Sequence, residues 1–189
     1  MKPVVVSDIL AVGEVPTPEQ MEILAKAGFK SVINSQPDGE VDRLPGSAVL
    51  GDEARKCGLG YAHAPLASRT PNATELAAFA EALAKLPAPI YGFCYSGARS
   101  AAGCALLLTE TLEPDAIIAQ FAAADFDIAS LKPWLVDERK RRTPAGKRAG
   151  GNGQRPAVET PPPAAITAPK ALEGIVVHAR AMGNGGFAM

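Results

Sequence analysis

The chain has 189 residues, enough for one ordinary domain with a real core and too few for two full-sized ones. With 47% hydrophobic and 21% charged residues it reads as globular, and aromatics at only 5% leave the core to Ala, Val, Leu and Ile. The net charge of −1 hides a division: residues 1–138 carry 10 Lys+Arg against 18 Asp+Glu, a balance of −8, whereas residues 139–189 carry 9 against 2, a balance of +7.

The opening segment, with Ser7 and Asp8 breaking its short apolar run, is neither a secretory h-region nor a membrane span, and no later stretch reaches about 18 uncharged apolar residues. The expectation is a soluble cytoplasmic protein with no membrane partner. Three cysteines argue against a disulfide scaffold. Two histidines, His63 and His178, outside any ligand-like cluster argue against a zinc site.

In chain order, Val4–Val6 and Ile9–Val12 read as short strands. Thr17 is placed to cap a helix with Pro18 at its first position and Met21, Leu24 and Ala25 on one face, ending near Gly28. Lys30–Asn34 reads as a buried strand, left by the polar loop Gln36–Glu40. Gly58–Ala64 is another short strand. Asn72 or Thr74 then caps a helix whose Leu76, Phe79, Ala80 and Leu83 repeat at helical spacing until Pro87 and Pro89 stop it. Pro89–Cys94 is a continuous apolar strand, followed by a glycine-containing loop, a buried helix from Arg99 to Leu108, and helical patterns over about 114–124 and 127–136. Strands alternating with helices predict an α/β fold with a small central sheet flanked by helices.

After Glu138 the composition turns basic and rich in Pro, Gly and Ala, which buries too little apolar surface to offset chain entropy. The expected organisation is therefore a catalytic domain over 1–138, a disordered linker over 139–170 and a short terminal segment, 171–189, of unassigned role. Without aromatics interleaved among its cations, the tail does not favour nucleic acid as a partner.

One loop joins a nucleophile to its means of activation: Cys94-Tyr95-Ser96-Gly97-Ala98-Arg99-Ser100, between a buried strand and a helix start. If Cys94 to Arg99 curl into a cradle, the N–H groups of 95–99 point inward and the helix dipole adds positive potential, forming an oxyanion receptor with a thiol at its base. Gly97 supplies the turn, Arg99 can clamp two oxygens of an anion, and Ser100 can donate a hydroxyl hydrogen bond to the sulfur. Tyr95, Ser96, Gly97 and Ala98 would line the substrate, with Ser96 also bracing the loop. The alternative for Cys94 is a small buried hydrophobe, the role expected of Cys57 and Cys104 as surface or core thiols.

The pattern Cys-x-x-Gly-x-Arg-Ser at 94–100 resembles that of the phosphatase-like domain of bacterial beta-lactamase hydrolase-like proteins. Leu10–Gly13, Pro16–Gln20, Val32–Glu40 and Tyr61–Leu66 resemble the same family in the same order, so that the likeness covers about residues 3–137. It implies a protein-tyrosine-phosphatase-like fold. It also implies a metal-free, cofactor-free reaction in which Cys94 forms a phosphocysteine on a phosphomonoester, carried by a small molecule or a protein. Three departures stand out. Gln36 occupies a position where the family usually has Arg. Residues 61–74 contain no carboxylate, although tyrosine phosphatases carry an aspartate acid after a strand ending like that before Pro65, which leaves His63, Asp38 and water as candidate proton donors. Four residues rather than the usual five separate Cys94 from Arg99, as in rhodanese loops. Members of the family are also labelled sulfur transferases, so a Cys94 persulfide enzyme is the second reading and a non-catalytic anion-binding module the third. No His-x-His-x-Asp-His pattern of a beta-lactamase-fold hydrolase occurs, so such a partner would be a separate protein.

Overall fold

The computed structural model describes residues 3–142 other than Asp8. The expected linker beyond 142 and the segment 171–189 lie outside the described residues. Among the described residues, five strands form one sheet: β1 (Val4–Ser7), β2 (Leu10–Glu14), β3 (Ser31–Asn34), β4 (Gly60–His63) and β5 (Ile90–Cys94), in the spatial order β1-β2-β5-β3-β4. β1 runs antiparallel to β2, and every other pairing is parallel. Within the same described residues, six helices surround the sheet: α1 (Pro18–Lys26), α2 (Ser47–Lys56), α3 (Ala73–Lys85), α4 (Ala98–Leu108), α5 (Pro114–Ala123) and α6 (Lys132–Arg142), the last entered through a 3-10 turn at Ala129–Leu131.

The layering follows from the period-2 alternation of the strands. Leu10, Val12, Ile33 and Ile90 face a core completed by Phe79 of α3, Ala101 and Ala105 of α4, Phe121 of α5 and Leu135 of α6. Their neighbours Ala11, Val32, Tyr91 and Phe93 face the opposite core, closed by Met21 and Leu24 of α1 and Leu50 and Ala54 of α2. With both faces of the central strands covered, β5 reads as an unbroken apolar run. Phe79 is fully buried in the larger core, so Phe79→Ala is expected to cost about 3–5 kcal/mol, read as a lower urea midpoint at unchanged m-value.

The caps act where the sequence places them. Thr17 accepts from Gln20 N while the Gln20 side chain accepts from Thr17 N, and Asn72, rather than Thr74, forms the same reciprocal box with Glu75. Two elements differ from expectation. The sequence reading has no helix between β3 and β4, where α2 lies; its N-cap, Gly46, offers no side-chain bond. The last helix starts at Lys132 rather than 127 and runs through the basic residues to Arg142, four residues into the expected linker. Ion pairing explains the extension. Buried Glu138 binds Arg141 and Arg142, and Arg139 donates to the Thr109 and Leu112 carbonyls at 2.9 Å each, capping the chain between α4 and α5.

Candidate active site

The parallel strands β2, β5 and β3 end side by side, and ligands of such sheets lie in the crevice beyond their carboxyl ends. Cys94 is the last residue of β5, the middle strand, and is 1% exposed. From it the chain turns through Tyr95 and Ser96 to Gly97, which sits at φ 82° as the N-cap of α4 and supplies no side-chain cap. The first N–H groups of α4 are therefore left for the loop interior. The Arg99 N–H is directed to Cys94 Sγ at 3.4 Å.

The guanidinium of Arg99 folds back over this loop, its side chain only 11% exposed. Nη1 donates to Glu40 Oε1 at 3.0 Å and to the Leu66 carbonyl at 3.2 Å; Nη2 donates to Glu40 Oε2 at 2.6 Å and to Gln36 Oε1 at 2.8 Å. Gln36 Oε1 also accepts from the Tyr95 N–H at 2.8 Å, and its amide nitrogen donates to Glu40. Burial works against the charge on Arg99, but the Glu40 hydrogen bond and the nearby Cys94 sulfur outweigh it and hold its pKa above the ordinary value. The Arg99 hydrogen bond correspondingly holds the Glu40 carboxyl below the usual carboxylate range.

Behind the loop, Ser100 and Ser35 are buried, and the Ser100 hydroxyl, expected to donate to the sulfur, donates to Ser35 Oγ at 3.1 Å. Ser35 N is held by the Phe93 carbonyl, and Gln36 N by Asn34 Oδ1. At the rim, Tyr95 is exposed and lies under the Arg43 guanidinium, 5.7 Å from the ring centroid, with Arg43 Nη2 donating to its hydroxyl at 2.6 Å. Ser96 and Ala98 open sideways onto a cleft of about 330 Å³ lined also by Arg69, Asp125, Asp127 and Leu131.

The structure thus brings together Cys94, Tyr95, Gly97 and Arg99 as one loop, with Ser96 and Ala98 on its outer side and Ser100 beneath it. Of the candidate proton donors, Asp38 binds the N–H and hydroxyl of Ser47 at the start of α2, bonds that hold its pKa down, and the exposed His63 ring contacts the Gln36 carbonyl at 2.9 Å. Burial raises the thiol pKa of Cys57 and of Cys104, in keeping with surface and core roles. Among the described residues, no group of three or more His, Cys, Asp or Glu side chains could hold a metal. The sequence reading missed Glu40 and Arg43. The signal was the place of Glu40 in the polar loop and of Arg43 just beyond it, because nothing local pairs residue 40 with residue 99.

Residues 4–110 match the family model described as the beta-lactamase hydrolase-like protein, phosphatase-like domain. A beta-lactamase hydrolase-like protein of Xylella fastidiosa (strain Temecula1) is 29% identical over 137 residues, 71% of this chain and 32% of the relative, so the chain spans about a third of the length of that curated relative. Among solved structures, a candidate phosphatase of Neisseria meningitidis Z2491 superposes with a TM-score of 0.66 at 21% identity, covering 72% of this chain and 97% of that one. A kinase-associated phosphatase with serine substituted for its catalytic-site cysteine gives a TM-score of 0.58 at 20% identity, covering 70% and 86%. The fold is protein-tyrosine-phosphatase-like.

Proposed function

Because the chain belongs to the family of the beta-lactamase hydrolase-like protein, phosphatase-like domain, we propose that its phosphatase-like domain is a cysteine-dependent phosphatase of phosphomonoesters, with residues 1–138 as the catalytic unit. The observation that carries this reading is the pairing of the Arg99 N–H with Cys94 Sγ at the mouth of α4, under the guanidinium of the same residue.

In the proposed cycle, the Cys94 thiolate attacks phosphorus in line, the S–P bond forms as the P–O bond to the leaving group breaks, and the 95–99 amides and Arg99 carry the equatorial oxygens. Water then attacks the phosphocysteine, the S–P bond breaks, and inorganic phosphate leaves with the thiolate restored. The cleft beside Ser96 and Ala98 receives the leaving group. Residues 61–74 hold no carboxylate, and the carboxylates in the cleft that receives the leaving group are Asp125 and Asp127; aryl esters, whose acidic leaving groups need least protonation, outrun alkyl esters. The expected substrate is a phosphorylated small molecule or protein. Among the described residues, no helix is long and apolar enough to cross a membrane.

A second reading, sulfur transfer through a Cys94 persulfide, is favoured by the short four-residue loop and by the Gln36 and Glu40 contacts that already occupy Arg99. The purified protein is expected to hydrolyse p-nitrophenyl phosphate, to yield a Cys94 adduct 80 Da heavier on acid quench by peptide mass spectrometry, about the mass of one added PO3 group, and to lack thiosulfate:cyanide transferase activity. Sulfur transfer without phosphate release would reverse the assignment.

A further inference from the structure

The donors that an oxyanion would use are already engaged by side chains from the loop after β3. Gln36 Oε1 takes one loop amide, from Tyr95 at 2.8 Å, and one guanidinium N–H, from Arg99 Nη2 at 2.8 Å. That is the coordination proposed above for an equatorial phosphate oxygen. The Glu40 carboxylate meets the two guanidinium nitrogens with one oxygen each, at 3.0 and 2.6 Å, as a bound anion would. Gln36 itself is held to Glu40 through its amide nitrogen. With Leu66 accepting the remaining Nη1 hydrogen, all four Nη hydrogens of Arg99 have partners.

We propose that Gln36 and Glu40 form an internal, displaceable ligand of the anion cradle, and that Glu40 sets how strongly the site binds a tetrahedral oxyanion. The inference rests on the phosphatase reading of the same site. The two residues are suited to leave. The Glu40 side chain is 42% exposed, so its carboxylate regains water when it swings out. The Gln36 backbone stays anchored, its N–H on Asn34 Oδ1 at 2.8 Å and its carbonyl against the His63 ring at 2.9 Å, so that the exchange needs side-chain rotation rather than loop unfolding.

The exchange also selects by charge. A phosphodiester brings two free oxygens and one negative charge, which only equals what Glu40 already offers the guanidinium. A phosphomonoester dianion brings three oxygens and up to twice the charge, enough to replace both Glu40 and Gln36 Oε1. The charged groups around the exchange are Arg99, with the Cys94 sulfur beside it, and Arg43 on Tyr95 at the rim.

The test is calorimetric titration of inorganic phosphate, and separately of sulfate, into the full chain at neutral pH. The proteins are wild type, Glu40→Gln, Glu40→Ala and Glu40→Ala with Arg99→Ala. Both single variants are expected to bind phosphate about tenfold more tightly than wild type, the worth of one charge-assisted contact no longer broken on binding, and the double variant to lose binding. Equal or weaker binding by both Glu40 variants would overturn the proposal and make Glu40 a brace that positions Arg99. Failure of every protein to bind either anion would overturn it together with the cradle. The phosphatase reading is judged apart from this, by the phosphocysteine at Cys94.

Discussion

Serine at position 94 is expected to reduce phosphatase turnover at least about 10⁴-fold while leaving the melting temperature close to that of the wild type. The reason lies in what surrounds the side chain. Cys94 closes a fully buried strand, and the Arg99 N–H meets its sulfur at 3.4 Å. Among the described residues the histidine is His63, and its ring contacts the Gln36 carbonyl rather than position 94. A thiol can ionise near neutral pH and a serine hydroxyl cannot, so the substitution keeps shape and removes the nucleophile. Arg99→Lys is expected to lose about 10²–10³-fold, because an ammonium cannot bind two oxygens in one plane. The measurement is kcat/KM on p-nitrophenyl phosphate, with thermal melts run alongside. Turnover by the serine variant within tenfold of wild type would place the nucleophile elsewhere.

The parts of this site that were legible in the sequence are those made by contiguous residues. The apolar run Pro89–Cys94, the glycine three residues on and the arginine two after that specify a strand, a turn and a helix start whose geometry is largely dictated by the backbone. The caps at Thr17 and Asn72 were legible for the same reason: each is a local exchange of hydrogen bonds over three residues. What stayed hidden depends on contacts distant in sequence. Helix α2 follows Gly46, carries Gly51 and has a start organised by Asp38, nine residues upstream of Ser47, so its local pattern is weak and its apolar residues gain order against Tyr61 and the sheet. Glu40 meets Arg99 across 59 residues, and no period in the chain announces that pairing. The run Arg139–Arg142 reads as the start of a solvated linker because its counter-charges, Asp137 and Glu138 aside, lie on the segment between α4 and α5.

Gly97→Ala is expected to destabilise the protein by about 3 kcal/mol and to abolish phosphate binding. Two costs add. At φ 82° an L-residue with a Cβ is in left-handed space, worth roughly 1–2 kcal/mol. The new methyl would also lie 2.9 Å from Gly13 Cα and 3.1 Å from its carbonyl carbon and oxygen, which are backbone atoms of β2 and cannot rotate away. Nor can β2 retreat freely, because the Tyr91 hydroxyl, bonded to the Glu14 carbonyl at 2.8 Å, packs against Gly13 so closely that a Cβ there would come within 2.3 Å of it. The displacement must therefore pass into the turn and the first residues of α4, the part that aims the Arg99 N–H at Cys94. Gly28→Ala isolates the first cost from the second: Gly28 has φ 97° but a Cβ would meet nothing within 4 Å. That variant is expected to lose only about 1–2 kcal/mol and to bind phosphate as the wild type does. Urea unfolding and phosphate titration of the two proteins decide the matter. Equal stability losses and intact phosphate binding in both would show that the close approach of Gly97 to β2 does not shape the cradle.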